Sequence, residues 1–328
     1  MSHPADWAST SPSPGPDQQL QKGGTVPGRH VRARATALPL ALAALLTSTA
    51  TACGGTATVN QSKVPAQRVD PALRSLLPAD IREKGSLTSA VGNDYPPLSL
   101  LDIDNKTVIG AEPDLVRAIG QVLGVRVHLV QANFDSIIGG VRSHRYDVAI
   151  QAMLDKKERQ EQVTFVDYMK TSSSILASEQ AADDLDSLAG LCGSQVAVEQ
   201  GTSQVDDVAA QAKKCAAAGK PEPAKLVFPD SVGCFQALST GRADAFVGGT
   251  PTVVYQAEMS HGRFRTAGEP YRFLPYGILI NKEERTLVRA IRGALQKLMD
   301  NGTYAKILKQ WNIRSGALKR ATVNGGTA

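Results

Sequence analysis

From residue 86 onward the chain alternates between two apolar rhythms. Short runs that alternate or are wholly apolar occur at Ser86 to Val91, Val125 to Val130, Tyr146 to Gln151, Gln195 to Glu199, Ala224 to Phe228 and Ala243 to Gly248, and each predicts a strand. Between them the apolar residues return at helical spacing. Pro113 to Leu123 sets Leu115, Ala118, Ile119 and Val122 on one face and stops at Gly124, and Phe134 to Ser143, Thr202 to Lys214, Gly233 to Thr240 and Pro251 to Met259 follow the same period. Short helical pieces are expected at Pro78 to Lys84, ended by Gly85, and at Lys156 to Glu161. Asn93 to Pro97 reads as a loop fixed by two prolines, and Asp102 to Lys106 as a hairpin-type turn. A strongly amphipathic helix, Arg285 to Asp300, a break at Gly302 and a last helix, Tyr304 to Trp311, close the pattern. Strands separated by helical crossovers predict an α/β protein with helix-covered parallel sheets. No short fixed period recurs, which excludes a solenoid.

Before this ordered region the pattern changes character. Arg29, Arg32 and Arg34 precede an almost wholly apolar run from Ala35 to Leu46, and small residues then lead to Ala50-Thr51-Ala52-Cys53-Gly54. Those are the parts of a secretory signal, and the apolar run is shorter than the ~20 residues a bilayer span needs. The segment around Cys53 resembles a bacterial lipobox, with Ala50 where leucine is usual, so the expectation is export and acylation of Cys53. Residues 1–52 are read as leader and signal peptide, with translation starting nearer Val26 or Val31. Residues 53–77 are read as a lipidated tether, polar and irregular from Gly54 to about Pro71.

Composition then narrows the function classes. The whole chain has a formal charge of +5, but Lys22, Arg29, Arg32 and Arg34 lie before Cys53 against Asp6 and Asp17, which leaves 32 basic and 29 acidic residues. A near-balanced surface without a basic, aromatic-interleaved stripe argues against nucleic-acid binding. Roughly 275 residues after the signal suffice for two lobes or one large domain. In an exported chain a disulfide is allowed. Cys192 stands before the strand at Gln195 and Cys215 follows the helical run that returns to it, so these two are expected to pair, with Cys234 a small buried thiol. No His or Cys pairs show metal-ligand spacing, so no metal or cofactor is expected. His128, His144 and His261 show no triad pattern and read as structural.

The likeness to a known family is spread along the chain. Gly85-Ser86-Leu87, Tyr95-Pro96-Pro97, Gly110 leading to Pro113-Asp114-Leu115, Phe134 to Ile138, Tyr146 to Ile150, Lys157-Glu158-Arg159 and Val163 to Tyr168 carry its first part. Gln200 to Gln204, Leu238 to Ala245, Tyr276-Gly277 and Asn301 to Trp311 carry the rest. In this order and spacing they resemble the amino-acid-binding family of bacterial extracellular solute-binding proteins, the receptors of ABC importers. The resemblance covers about Gly85 to Ile313. It implies a two-lobed periplasmic-binding-protein-like fold of type II, each lobe a helix-covered sheet, joined by two hinge segments at Ser172 to Ala177 and Phe273 to Gly277. It places lobe I at 78–174 and 277–314 and lobe II at 175–276, and residues 315–328 beyond it are read as a polar tail. It further implies a monomer held by lipid on the outer face of the cell membrane, which captures an amino-acid-like carboxylate between its lobes and delivers it to a cognate permease, without catalysis. A dehydratase-type enzyme on the same scaffold and a ligand-sensing module are the alternatives.

By the same resemblance Arg159 clamps the ligand carboxylate, whose two oxygens match the parallel donors of a guanidinium. Thr202 and Ser203 open a helix after Gly201, where backbone amides and hydroxyls suit an anion. Tyr95 and Phe134 stand where the family sets aromatic or apolar surface against the ligand, and Gln151 offers an amide. Two departures stand out. Ala152, Met153 and Leu154 replace small or hydroxyl donors, and Gly249 stands where the family carries the acid for the ligand ammonium. Alternation in Gln195 to Glu199 turns Glu199 to the face of Ala197, just before Gly201, so Glu199 is the expected replacement acid. A solvent-exposed strand end is its other reading. Asp94 is a second candidate whose ordinary role is turn capping.

Overall fold

The computed structural model describes residues 64–179, 181 and 185–327. The leader, Cys53 and the first part of the tether lie outside the described residues. The chain enters through two short helices, α1 (Pro71–Ser75) and α2 (Ala79–Lys84). The Asp70 carboxylate accepts from the amides of Ala72 and Leu73 at the start of α1, and Gly85 ends α2 in the left-handed region. The expected tether is therefore docked over its last part. Asp70 N donates to Val122 O, Asp70 pairs with Lys297, and Leu77 is buried in the core.

Strand β1 (Ser86–Val91) leads to a small antiparallel sheet of β2 (Asp94–Tyr95), β3 (Ser99–Leu101) and β4 (Val108–Ile109). Helix α3 (Ala111–Leu123) starts at Gly110, where a Cβ would lie 2.2 Å from the Leu98 carbonyl oxygen, so only glycine fits. All of α3 except Arg117 and Gln121 is buried. After β5 (Arg126–Gln131) a 3-10 turn, Phe134–Ser136, runs into α4 (Ile137–Arg142). Strand β6 (Val148–Ile150) and helix α5 (Lys157–Gln160) precede the long strand β7 (Thr164–Ser178). The second half repeats the alternation: β8 (Gln195–Glu199), α6 (Ser203–Ala217), β9 (Ala224–Phe228), α7 (Ser231–Ser239), β10 (Ala245–Gly249) and α8 (Thr250–Met259). A second long strand, β11 (Phe264–Ile280), returns to the first half, where α9 (Arg285–Asp300), α10 (Thr303–Gln310) and a short β12 (Thr322–Val323) follow.

The strands join in the order β5-β1-β6-β11-β7-β10-β8-β9. The outer groups are parallel as expected, β5-β1-β6 in the first lobe and β10-β8-β9 in the second. The two expected hinge segments lie within β7 and β11, which pair antiparallel and carry both lobes. Their register breaks between Ala267 and Tyr271, between Tyr271 and Leu274, and at Tyr276/Gly277, so the crossing is the irregular part of the sheet.

Each lobe has core on both faces of its sheet. In the first, Leu115, Ile119 and Leu123 of α3 and Leu287, Ile291, Leu295 and Leu298 of α9 pack on one face, while Phe134, Ile137, Val141 and Phe165 fill the other. Each such side chain contributes roughly 1.5–3 kcal/mol on full burial. In the second lobe β8 divides as its alternation predicts. Val196 and Val198 pack with Val208 of α6, whereas Ala197 packs with Cys234 and Leu238 of α7. Cys192 and Cys215 are joined, closing a loop worth roughly 3 kcal/mol on chain-entropy grounds. Cys234 is a buried free thiol.

The expected polar tail is instead a strap. Strand β12 pairs with β7, the Asn324 side chain accepts from Phe165 N, and the amides of Gly325 and Gly326 donate to Asp167 and Asp155. A segment that docks through its backbone onto buried carboxylates leaves no apolar rhythm, which is why the pattern gave only a polar tail.

Candidate functional site

The parallel strands β6 and β8 end at the cleft between the lobes, and the residues just past those ends build the site. Tyr95, Phe134, Gln151, Arg159, Glu199, Thr202 and Ser203 line one cavity, together with Ala152, Leu154, Gln204 and Tyr276. Seven of the eight expected ligand residues therefore converge. Asp94 does not. Its carboxylate accepts from Ser231 N at 2.8 Å and its carbonyl oxygen from the Ser231 hydroxyl, so it ties β2 to the first turn of α7 and lines a neighbouring recess.

Arg159 comes from α5 in the first lobe and is 7% exposed. Its Nη1 donates to Leu154 O and its Nη2 to Gly201 O, both at 3.1 Å, and its guanidinium lies 5.7 Å from the Phe134 ring centroid. It makes no ion pair among the described residues. Burial lowers its pKa, a sign that the cation sits in a poorly solvated place. Gly201 approaches from the second lobe with a positive φ, and a Cβ there would lie 2.9 Å from the Asp135 Cβ. Only glycine permits that approach.

Thr202 precedes α6, but its hydroxyl donates to Glu199 O at 2.7 Å and does not cap the helix. The buried Ser203 hydroxyl has no partner among the described residues, and neither does the Gln151 side-chain oxygen. Both are free to meet a ligand. Glu199 ends β8 at 4% exposure, so the reading of it as a solvent-exposed strand end is set aside. Its carboxyl has no hydrogen-bond donor among the described residues. Burial first, then the charges of Asp94, Asp230 and Asp135, hold it well above the usual carboxylate range.

Tyr276 was legible only as a family motif at the hinge. In the structure it lines the cavity, and a Cβ added at Gly249 would lie 2.1 Å from its hydroxyl oxygen. The Tyr95 hydroxyl accepts from Gly249 N at 2.6 Å and would stand 3.0 Å from the same Cβ. Two phenols thus occupy the ground from which an acid at position 249 would grow. Gln204, also missed, donates to the Ser173 hydroxyl on β7.

Behind the cavity, Glu112 in the first turn of α3 accepts from Ala152 N at 2.6 Å and from the Tyr168 hydroxyl. Ala152 is held with φ of 43°, so this carboxyl pins a strained loop that carries Gln151 and Leu154. Burial raises the Glu112 pKa to about 7. Its sequence signal was its place on the apolar face of α3, three residues before Leu115.

The cavity thus presents a buried cation from one lobe and a buried carboxyl from the other. Contacts across the cleft are direct: Tyr95 with Gly249, Asp94 with Ser231, Arg159 with Gly201, and Gln200 Nε2 donating to Asp135 at 2.8 Å. Residues 87–314 match the sequence pattern of the bacterial extracellular solute-binding proteins, family 3. The arginine-binding protein ArgT of Corynebacterium glutamicum is 31% identical over 255 residues, 77% of this chain and 83% of that protein. A solved ancestral arginine-binding protein bound to arginine aligns with a TM-score of 0.64 at 30% identity, over 69% of this chain and 98% of the other. An ancestral amino acid-binding protein, described as a precursor of cyclohexadienyl dehydratase, aligns with a TM-score of 0.62 at 27% identity, over 72% and 99%. With seven of these cavity residues gathered between two lobes and the pattern matched from 87 to 314, the chain belongs to the bacterial extracellular solute-binding proteins of family 3.

Proposed function

We propose that this protein is the lipid-anchored substrate receptor of an ABC importer, and that it captures a cationic amino acid, arginine foremost, between its lobes. The observation that carries this reading is the pair of buried, mutually unbridged groups, Arg159 and Glu199. A carboxylate seated on Arg159 gains charge-assisted hydrogen bonds of ~1.5–3 kcal/mol each. The Ser203 hydroxyl and the amides opening α6 add donors on the same side. A cationic group on the ligand meets Glu199, whose surroundings include Asp94, Asp135 and Asp230. That acid replaces the one lacking at Gly249. The relatives named for arginine support the same choice.

Closure about β7 and β11 would bury the ligand, and a permease would read the closed state by its differential affinity. Acylation of Cys53 would keep the receptor beside its transporter. A thermal-shift panel of arginine, lysine, citrulline, glutamine and cystine tests the ligand assignment. Binding of the folded state alone raises the melting temperature with ligand concentration. Arginine is expected to give the largest shift and to be recovered unchanged. No shift with arginine or lysine, or arginine recovered altered, would overturn the reading.

A further inference from the structure

Glu199 differs from the acids around it. Asp94 accepts from Ser231 N, Asp135 from Gln200 Nε2 and Asp230 from Gly233 N, all at 2.8 Å. Glu199, 4% exposed, has no donor among the described residues and lines both the ligand cavity and the recess that holds Asp94 and Asp230. The groups facing it come from every packed element: Asp94 and Tyr95 of β2, Asp135 of the turn before α4, Asp230 and Cys234 at and within α7, and Tyr276 of β11. Arg159 lines the same cavity but spends two guanidinium nitrogens on Leu154 O and Gly201 O. A carboxylate here would be desolvated, undonated and surrounded by like charge.

We infer that ligand capture is a cation-for-proton exchange at Glu199: with the lobes in contact and no ligand between them the site holds this side chain as the neutral acid, and the ligand's cationic group displaces its proton as it docks. This rests on the assignment of a cationic amino acid to the cavity. The carboxyl O–H bond breaks, the proton passes to solvent buffer, and the carboxylate so formed pairs with the incoming cation. No electron changes hands. The raised pKa of Glu199 agrees with the geometry. Such a site discriminates by charge, because a neutral group arriving at Glu199 cannot compensate the ionised form and leaves the proton in place. Below the pKa of Glu199 in the empty site, affinity for the cation rises about tenfold per pH unit.

The experiment is calorimetric titration of arginine into the purified protein at pH 7 in phosphate and in Tris, whose ionisation enthalpies differ. The expected result is a buffer-dependent heat that reports proton release on arginine binding. Glu199→Gln removes that release, and Asp230→Asn, which takes away one neighbouring charge, reduces it. The second variant serves if the first binds arginine too weakly to titrate. Equal heats in both buffers with arginine bound, or undiminished release in Glu199→Gln, overturns the exchange alone. If neither arginine nor lysine binds the wild type, the ligand assignment falls and the exchange falls with it.

Discussion

At the residue scale, the pocket was legible wherever a single side chain carries its chemistry regardless of context. Among the described residues Arg159 is the only guanidinium lining the cavity, and Glu199 could be placed on the inner face of β8 by counting alternation. Asp94 shows the limit of such counting. A carboxylate beside a proline loop signals capping, but nothing local tells that the helix it holds is α7, 137 positions away. Tyr276 escaped for a related reason, since its role depends on a register break in β11 that no periodicity reveals. The crowding at Gly249 yields a prediction. Introducing an acid with Gly249→Asp should not improve binding of a zwitterion, because its Cβ meets the Tyr276 hydroxyl at 2.1 Å. We expect at least tenfold weaker arginine binding, or about 1.4 kcal/mol. Calorimetry on the single variant checks this, and Gly249→Asp combined with Tyr276→Ala should recover part of the loss.

At the element scale, strands and helices with strong rhythm came out nearly to the residue: β8, β9 and α9 have the bounds their patterns give. The long strands β7 and β11 did not, because only their hinge portions were read and their register shifts break alternation. The strap carrying β12 was invisible, since its docking rests on glycine amides against Asp155 and Asp167, not on apolar side chains. The loop after β6 depends on another element for its shape. Glu112 of α3 holds Ala152 N, so removing its oxygens leaves a buried amide without an acceptor, at a cost of about 1–3 kcal/mol. Glu112→Ala is therefore expected to lower the melting temperature by several degrees and to weaken arginine binding through the misplaced Gln151 and Leu154. Glu112→Gln, which keeps an acceptor, should retain most of both. Equal loss in the two variants would contradict a positioning role.

At the scale of the whole molecule, buried carboxyls set the pH response of the fold. Glu112 and Asp167 are raised to about 7, each chiefly by burial, with the nearby Asp155 adding to Asp167, and Glu199 is raised as well, first by burial. An acid whose folded pKa is raised binds its proton more tightly in the native state. Its stabilising contribution is complete below the unfolded value, 4.5 for Glu112 and 3.8 for Asp167, and is lost as pH rises through about 7. The ligand-free protein should thus melt at a lower temperature at pH 8 than at pH 5.5, and a calorimetric series across that range checks the sign. Arginine should narrow the difference, because it pairs with the ionised form of Glu199.

The two-lobed architecture was readable because it follows from alternation and from motifs spread over the chain, while the closeness of the lobes depends on Gly201, Tyr95 and Gly249 meeting across a cleft. One ligand is predicted to span that cleft. A crystal structure of the protein with arginine tests it most directly. The ligand carboxylate is predicted within hydrogen-bond distance of Arg159 and Ser203, with a cationic group on the Glu199 carboxylate. A structure in which arginine leaves either Arg159 or Glu199 untouched would contradict the account.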